Sequence, residues 1–114
     1  MEYGWRSSMN HLKEREIVPF LRKVFLSSSN VKEEDLEFFM QKSKQVDAEE
    51  MYILLLEVGQ QMEDRELLRV LKFLPKQHKL YLEVFLPLGS LLHPTKAKLY
   101  SLFLQTQAIK KRVR

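Results

Sequence analysis

The sequence predicts an all-α domain, and three observations carry that prediction. Only three Gly and four Pro interrupt 114 residues rich in Leu, Glu, Lys and Gln, a composition that suits helices better than sheets. Apolar residues make up 45% of the chain, and they recur mainly at spacings of three and four. Two such helical patterns meet at Pro75, within RELLRVLKFLPKQHKLYLEVFL, with almost no loop between them. A chain of this length buries roughly two-thirds of its unfolded surface, enough for a core that needs no staples.

Residues 1–10 show no periodicity and mix Gly4, Ser7, Ser8 and Asn10 with Tyr3 and Trp5, so they read as a flexible leader. A helical domain is expected over residues 11–86. From His11 onward Ile17, Phe20, Leu21, Val24 and Phe25 make the first apolar stripe. Pro19 falls inside it, and an interior proline costs about 3 kcal/mol, so either a short helix ends near Glu16 and another starts near Val18, or the helix kinks. Ser27, Ser28, Ser29 and Asn30 break the pattern. Asn30 with Glu33 has capping-box spacing, and Ser29 is an equally good cap. Glu33, Glu34, Asp35 and Glu37 then occupy first turns, where the helix dipole favours negative charge, and Leu36, Phe39 and Met40 face inward.

Asp47 and Glu50 repeat the capping-box spacing and open a helix that is apolar on two faces. Met51, Leu54, Leu55, Val58 and Met62 form one stripe, and Tyr52, Ile53 and Leu56 form a second, which marks this as the central helix. Gly59 signals either a close helix approach or the helix end. After a turn over residues 60–64, Leu67, Leu68, Leu71 and Leu74 face the core. Pro75 suits a helix start and disfavours helical geometry at Leu74, so one helix ends near Leu74 and the next begins at Pro75. Leu80, Tyr81 and Val84, with Phe85 beside them, are expected to be its core stripe. Residues 87–114 read as a linker punctuated by Pro87, Gly89, Ser90 and Pro94, then a basic amphipathic C-terminal helix or tail with Leu99, Leu102 and Phe103 as its stripe.

Charge and motifs exclude more than they assign. The net charge of +4 is uneven, because Glu83 is the last acid. Residues 84–114 carry Lys96, Lys98, Lys110, Lys111, Arg112 and Arg114; the remainder holds 13 basic and 15 acidic residues and is nearly neutral. The absence of cysteine rules out a disulfide and fits an intracellular protein, in cytoplasm or nucleus alike. The N-terminus lacks the apolar run of a secretory signal. The richest apolar stretch, LYLEVFLPLGSLL, falls short of the about 20 residues that span a bilayer. There is no Cys nucleophile, no G-x-S-x-G, no HExxH and no P-loop. His11, His78 and His93 lack the i, i+4 pairing of ligands on one helix face and read as surface, cap or interface residues. No catalytic, cofactor or metal residue is assigned, and an enzyme is not expected.

Two non-catalytic signals remain. The central helix and the corner at Pro75 carry more apolar side chains than a small bundle needs, and surplus apolar surface between helices is how a groove receives a partner's amphipathic helix. The second signal is the basic end of the terminal helix, which could dock on the bundle, bind protein, touch an acidic membrane or contact nucleic acid.

The layout resembles the harmonin-homology domain, found in harmonin, whirlin, malcavernin and the regulator of telomere elongation helicase. FLRKVFL stands for its first helix, DLEFFMQKSKQ for the second, MYILLLEVGQQM for the third, and RELLRVLKFLP leading into KQHKLYLEVF for the last two, covering about residues 17–86. The resemblance implies a compact orthogonal bundle of about five helices, here with an additional C-terminal helix or helical tail. It also implies a scaffold or adaptor without enzymatic activity that binds a helical protein segment in an apolar groove. Residues left over from the main stripes, Phe38, Tyr52, Leu56 and Leu82, are the expected partner-binding set. The alternative is a nucleic-acid-binding module using Lys96, Lys98, Lys110, Lys111, Arg112 and Arg114.

Overall fold

A computed structural model describes residues 12–112, and their side chains except those of residues 14, 28 and 108–112. The leader, His11 and Arg114 lie outside the described residues, as do the side chains of Lys110, Lys111 and Arg112. The described part is all-α, with helices α1 (Ile17–Leu26), α2 (Glu33–Lys42), α3 (Ala48–Val58), α4 (Asp64–Lys72), α5 (Lys76–Phe85) and α6 (Pro94–Arg112). Short 3-10 turns at Glu14–Glu16, Ser28–Asn30, Ser43–Gln45 and Ser90–Leu92 join several of them.

Among the described helix starts, that of α3 alone carries a side-chain capping box. α1 begins at Ile17, so Pro19 is its third residue, among the first four positions whose N–H groups have no intrahelical acceptor. The proline therefore removes no helical hydrogen bond, and the helix continues past it. At α3 the capping box forms, with the Asp47 N–H donating to Glu50 Oε1 at 3.3 Å. The box expected from Asn30 and Glu33 does not. Asn30 is taken up in a 3-10 turn, and α2 starts after Lys32, which makes no side-chain cap. Three acids in its first turn, Glu33, Glu34 and Asp35, face the helix dipole instead. Pro75 caps α5, and its carbonyl accepts from the N–H groups of His78 and Lys79 at 3.0 and 3.1 Å.

Helix α3 is the hub: α1, α5 and α6 all pack against it, while α4 packs against α1 and α6. Its buried stripe is Met51, Leu54, Leu55 and Val58, continued by Met62 in the following turn. Leu21, Val24 and Phe25 of α1, Leu36, Phe39 and Met40 of α2, and Leu67, Val70 and Leu71 of α4 close around it. Leu99, Leu102 and Phe103 of α6 are buried in the same core, and the radius of gyration, 13.8 Å, is near the roughly 13 Å of a compact chain this long.

The contact between α3 and α6 depends on Gly59. A Cβ there would stand 2.7 Å from the Leu55 carbonyl oxygen and 3.1 Å from Thr95 Cγ2 at the start of α6. Gly59 therefore serves both roles expected of it, a helix end and a close approach. Lys98 fastens the same corner, because its Nζ donates to the carbonyls of Gly59 and Met62 at 3.0 and 2.7 Å and lies 3.5 Å from Asp64 Oδ1. A cation at these carbonyls complements the C-terminal end of α3.

Helix α5 corrects the expected core register. Its buried residues are His78 and Leu82, continued by Leu86, whereas Leu80, Val84 and Phe85 are exposed and Tyr81 is half-buried. The helix is apolar on two faces, and the inward one carries a histidine. His78 is not a surface residue: it is 1% exposed, with Nε2 2.8 Å from the Val46 carbonyl oxygen. On α4, Leu68 sits at the edge of the core and Val70 takes the inward place.

Candidate functional site

The apolar residues that the core leaves outside are unevenly placed. Among the described residues, the large hydrophobics that are exposed are Leu26, Ile53, Leu80, Val84, Phe85, Leu88, Leu91, Leu92 and Leu104. Six of these nine fall between Leu80 and Leu92. Leu91 and Leu92, at 98% and 90% exposure, are almost wholly in solvent. Burying a leucine side chain is worth about 1.5–3 kcal/mol, so two adjacent ones held in water are unlike a folding solution and like an unfilled contact.

Three aromatic rings form a cluster beside this segment. Tyr81 and Phe85, four residues apart on α5, have ring centroids 4.3 Å apart, and Tyr52 of α3 lies 5.6 Å from Tyr81 and 6.5 Å from Phe85. The spacing follows from helix geometry, since positions i and i+4 share a face and α3 packs beside α5. Such ring pairs contribute about 0.5–1.5 kcal/mol each beyond their buried area. Lys96 stands over Tyr52 with Nζ 5.7 Å from the ring centre, and it also donates to the Leu88 carbonyl. It thereby ties the connection between α5 and α6 to the aromatic cluster. Gly89 in the same connection adopts φ 71°, a left-handed conformation that a side chain disfavours, and this turn presents Ser90–Leu92. At the other rim desolvation first, then the charge of Glu49 and the neighbouring Tyr52, raise the pKa of Tyr81. The hydroxyl stays protonated at neutral pH and can donate to a partner's carbonyl or carboxylate.

The expected partner-binding residues fare differently. Tyr52 lies in the aromatic cluster, and Leu56, one turn further along α3, is half-buried against the core. Phe38 belongs to another ring set, with Phe39 at 5.8 Å and Lys42 over its face at 5.6 Å. Leu82 is a correction: at 1% exposure it is core, because α5 turns its 78–82–86 stripe inward. Tyr81, Phe85, Leu88, Leu91 and Leu92 were not anticipated as a surface. The apolar pair in a Gly- and Pro-containing linker was the signal for part of it, since a linker has no reason to carry two leucines.

Of the basic residues expected to meet nucleic acid, Lys96 and Lys98 are engaged by the fold through the bonds given above. A concavity of about 480 Å³ lies elsewhere, lined by Glu33, Arg65, Leu68, Arg69, Lys72, Lys79, Thr106 and Gln107. No group of three or more His, Cys, Asp or Glu side chains suited to a metal ion occurs among the described residues, and no helix there is long and apolar enough to cross a membrane. Compared with protein-family models, curated proteins and solved structures, the chain matches none.

Proposed function

We propose that this chain is a protein-interaction module whose docking surface is the aromatic cluster of Tyr52, Tyr81 and Phe85 together with Leu88, Leu91 and Leu92. The observation that carries the reading is the concentration of exposed apolar side chains between Leu80 and Leu92, beside rings already ordered by their own packing. Preordered aromatic side chains lose little entropy on binding, which is why they anchor interfaces. The occupant is an amphipathic helical segment of a partner protein. Its apolar face covers the leucines and rings, and its polar edge meets Lys96 on one side and Glu49 on the other. The reading keeps the non-catalytic adaptor role implied by the harmonin-homology resemblance, which rests on the sequence layout of residues 17–86.

The test compares wild type with Leu91→Asp/Leu92→Asp and with Tyr52→Glu. Far-UV dichroism and thermal melting establish that each variant folds, and affinity capture followed by titration of the recovered partner measures binding. A partner lost on the leucine substitution with an unchanged melt supports the surface. Capture of the same proteins by wild type and the double variant refutes it. The nucleic-acid alternative requires salt-steep binding to oligonucleotides that disappears when Lys110, Lys111, Arg112 and Arg114 are replaced by Gln, a change that keeps the buried Leu99, Leu102 and Phe103 of α6 in place.

A further inference from the structure

The pocket of about 480 Å³ on the α4 side shares no lining residue with the aromatic surface. Its floor is one stripe of α4. Arg65, Leu68, Arg69 and Lys72 fall at positions i, i+3, i+4 and i+7, so Arg65 and Lys72 stand roughly 10 Å apart along the helix with Leu68 and Arg69 between them. Lys79 of α5 adds a further cation, and Thr106 and Gln107 of α6 form the facing wall. The volume lies within the roughly 300–1,000 Å³ of small-molecule sites.

Charge and apolar surface are combined in a definite arrangement. Arg69 is held by Glu66 Oε1 at 2.9 Å and by the Val31 carbonyl, so its charge is largely matched and its side chain is a fixed wall. Arg65 is different: its side chain is 83% exposed, and Glu66 Oε2 lies 3.9 Å from its Nε. Lys72 is exposed, with its Nζ 5.5 Å from the Phe73 ring centre. Even with Glu33 and Glu66 counted, the rim remains net positive. Leu68 is half-buried at the centre, and the surrounding wall is mostly carbon from the stems of the long side chains. Like charges gathered around a low-dielectric surface repel one another, and an anion placed among them feels a stronger field than it would in open water.

We propose that this pocket binds a small amphipathic anion, an apolar body lying over Leu68 with one acid group at Arg65 or Lys72. A carboxylate or a sulfate head serves equally, because both accept hydrogen bonds from guanidinium and ammonium groups. Arg69 positions the wall, and α6 completes the enclosure through Thr106 and Gln107.

The experiment titrates the full chain with octanoate, octyl sulfate, octanol and inorganic phosphate, following backbone amide shifts by NMR. Saturable shifts at Leu68, Lys72 and Thr106 are expected with the two amphipathic anions, at least about tenfold tighter than with octanol or phosphate. Arg65→Gln/Lys72→Gln weakens octanoate by about tenfold with an unchanged melt, since both side chains are exposed. Should that variant melt early, Leu68→Trp, which fills the floor, provides a second route to the same loss. Sedimentation with phosphatidylcholine vesicles, plain or containing phosphatidylserine, distinguishes sources: retention on the acidic vesicles alone, lost in the double variant, assigns the acid to a lipid headgroup, and octanoate binding without retention assigns it to a free acid. Equal affinity for octanol or phosphate, shifts confined to other residues, or binding only of an acidic peptide overturns the proposal.

Discussion

The two faces of α5 lead to a test in which residues two apart respond oppositely. Leu82 is 1% exposed and Leu80 is 52% exposed, the reverse of the expectation that put Leu80 in the core stripe and Leu82 on the partner-binding surface. Leu82→Ala removes three carbon groups from full burial, about 2.4 kcal/mol at 0.8 kcal/mol per group. The unfilled space adds to this, so about 3–4 kcal/mol is expected, within the range seen for buried leucines. Leu80→Ala acts on a side chain already half in water and costs less than about 1 kcal/mol. A small domain has on the order of 5–15 kcal/mol of stability, so the first variant loses a large share of it and remains folded in the cold. At roughly 4–5 °C per kcal/mol, Leu82→Ala lowers Tm by about 12–20 °C and Leu80→Ala by less than about 5 °C. Urea unfolding followed by far-UV dichroism measures both differences with a shared m-value. Equal losses, or a larger loss for Leu80→Ala, would show that α5 turns its other face inward, and the aromatic surface would fall with that register.

Three further outcomes follow from the packing. Among the described residues nothing bonds the buried Nδ1 of His78, and desolvation lowers its pKa below 6.5 against the smaller opposing effects of the Val46 carbonyl and Asp47. The unfolded chain therefore takes up this proton first, so the contribution is intact above about pH 6.5 and is lost as pH falls through the lowered folded value. Urea titrations at descending pH should show that loss, and His78→Gln should flatten that part of the profile. Gly59→Ala should destabilise by about 1–3 kcal/mol, since the added Cβ stands 2.7 Å from the Leu55 carbonyl oxygen and 3.1 Å from Thr95 Cγ2, and Thr95→Ser should recover only the share due to the α6 contact in a double-mutant cycle. Lys98→Met keeps the aliphatic stem but leaves the Gly59 and Met62 carbonyls without their cation, and a melt should register a loss of about 1–2 kcal/mol.

Much of the fold is legible in the sequence. The stripe from Met51 to Met62 is apolar at helical spacing on one strip and was placed correctly as the hub, because its inward face has no polar competitor. Asp47 and Glu50 announced their helix through a reciprocal bond that needs only local geometry. Pro75 marked the corner because its ring constrains the residue before it in any context. The candidate site was less legible. Tyr52 was found as a leftover of the central helix, while Tyr81 and Phe85 were assigned to the core.

Periodicity determined where the helices lie and which of them is central, since those follow from bonds and side chains within a few residues of each other. Only the tertiary structure decided which apolar face of α5 turned inward. His78 can enter the interior because the Val46 carbonyl, 32 positions earlier, meets its Nε2. With that face taken, Leu80, Val84 and Phe85 were left outside. The same holds for α6, whose approach depends on the missing side chain at Gly59 and the carbonyls that receive Lys98. Partners so distant in sequence are set by packing, and the surfaces proposed for binding are what that packing left uncovered.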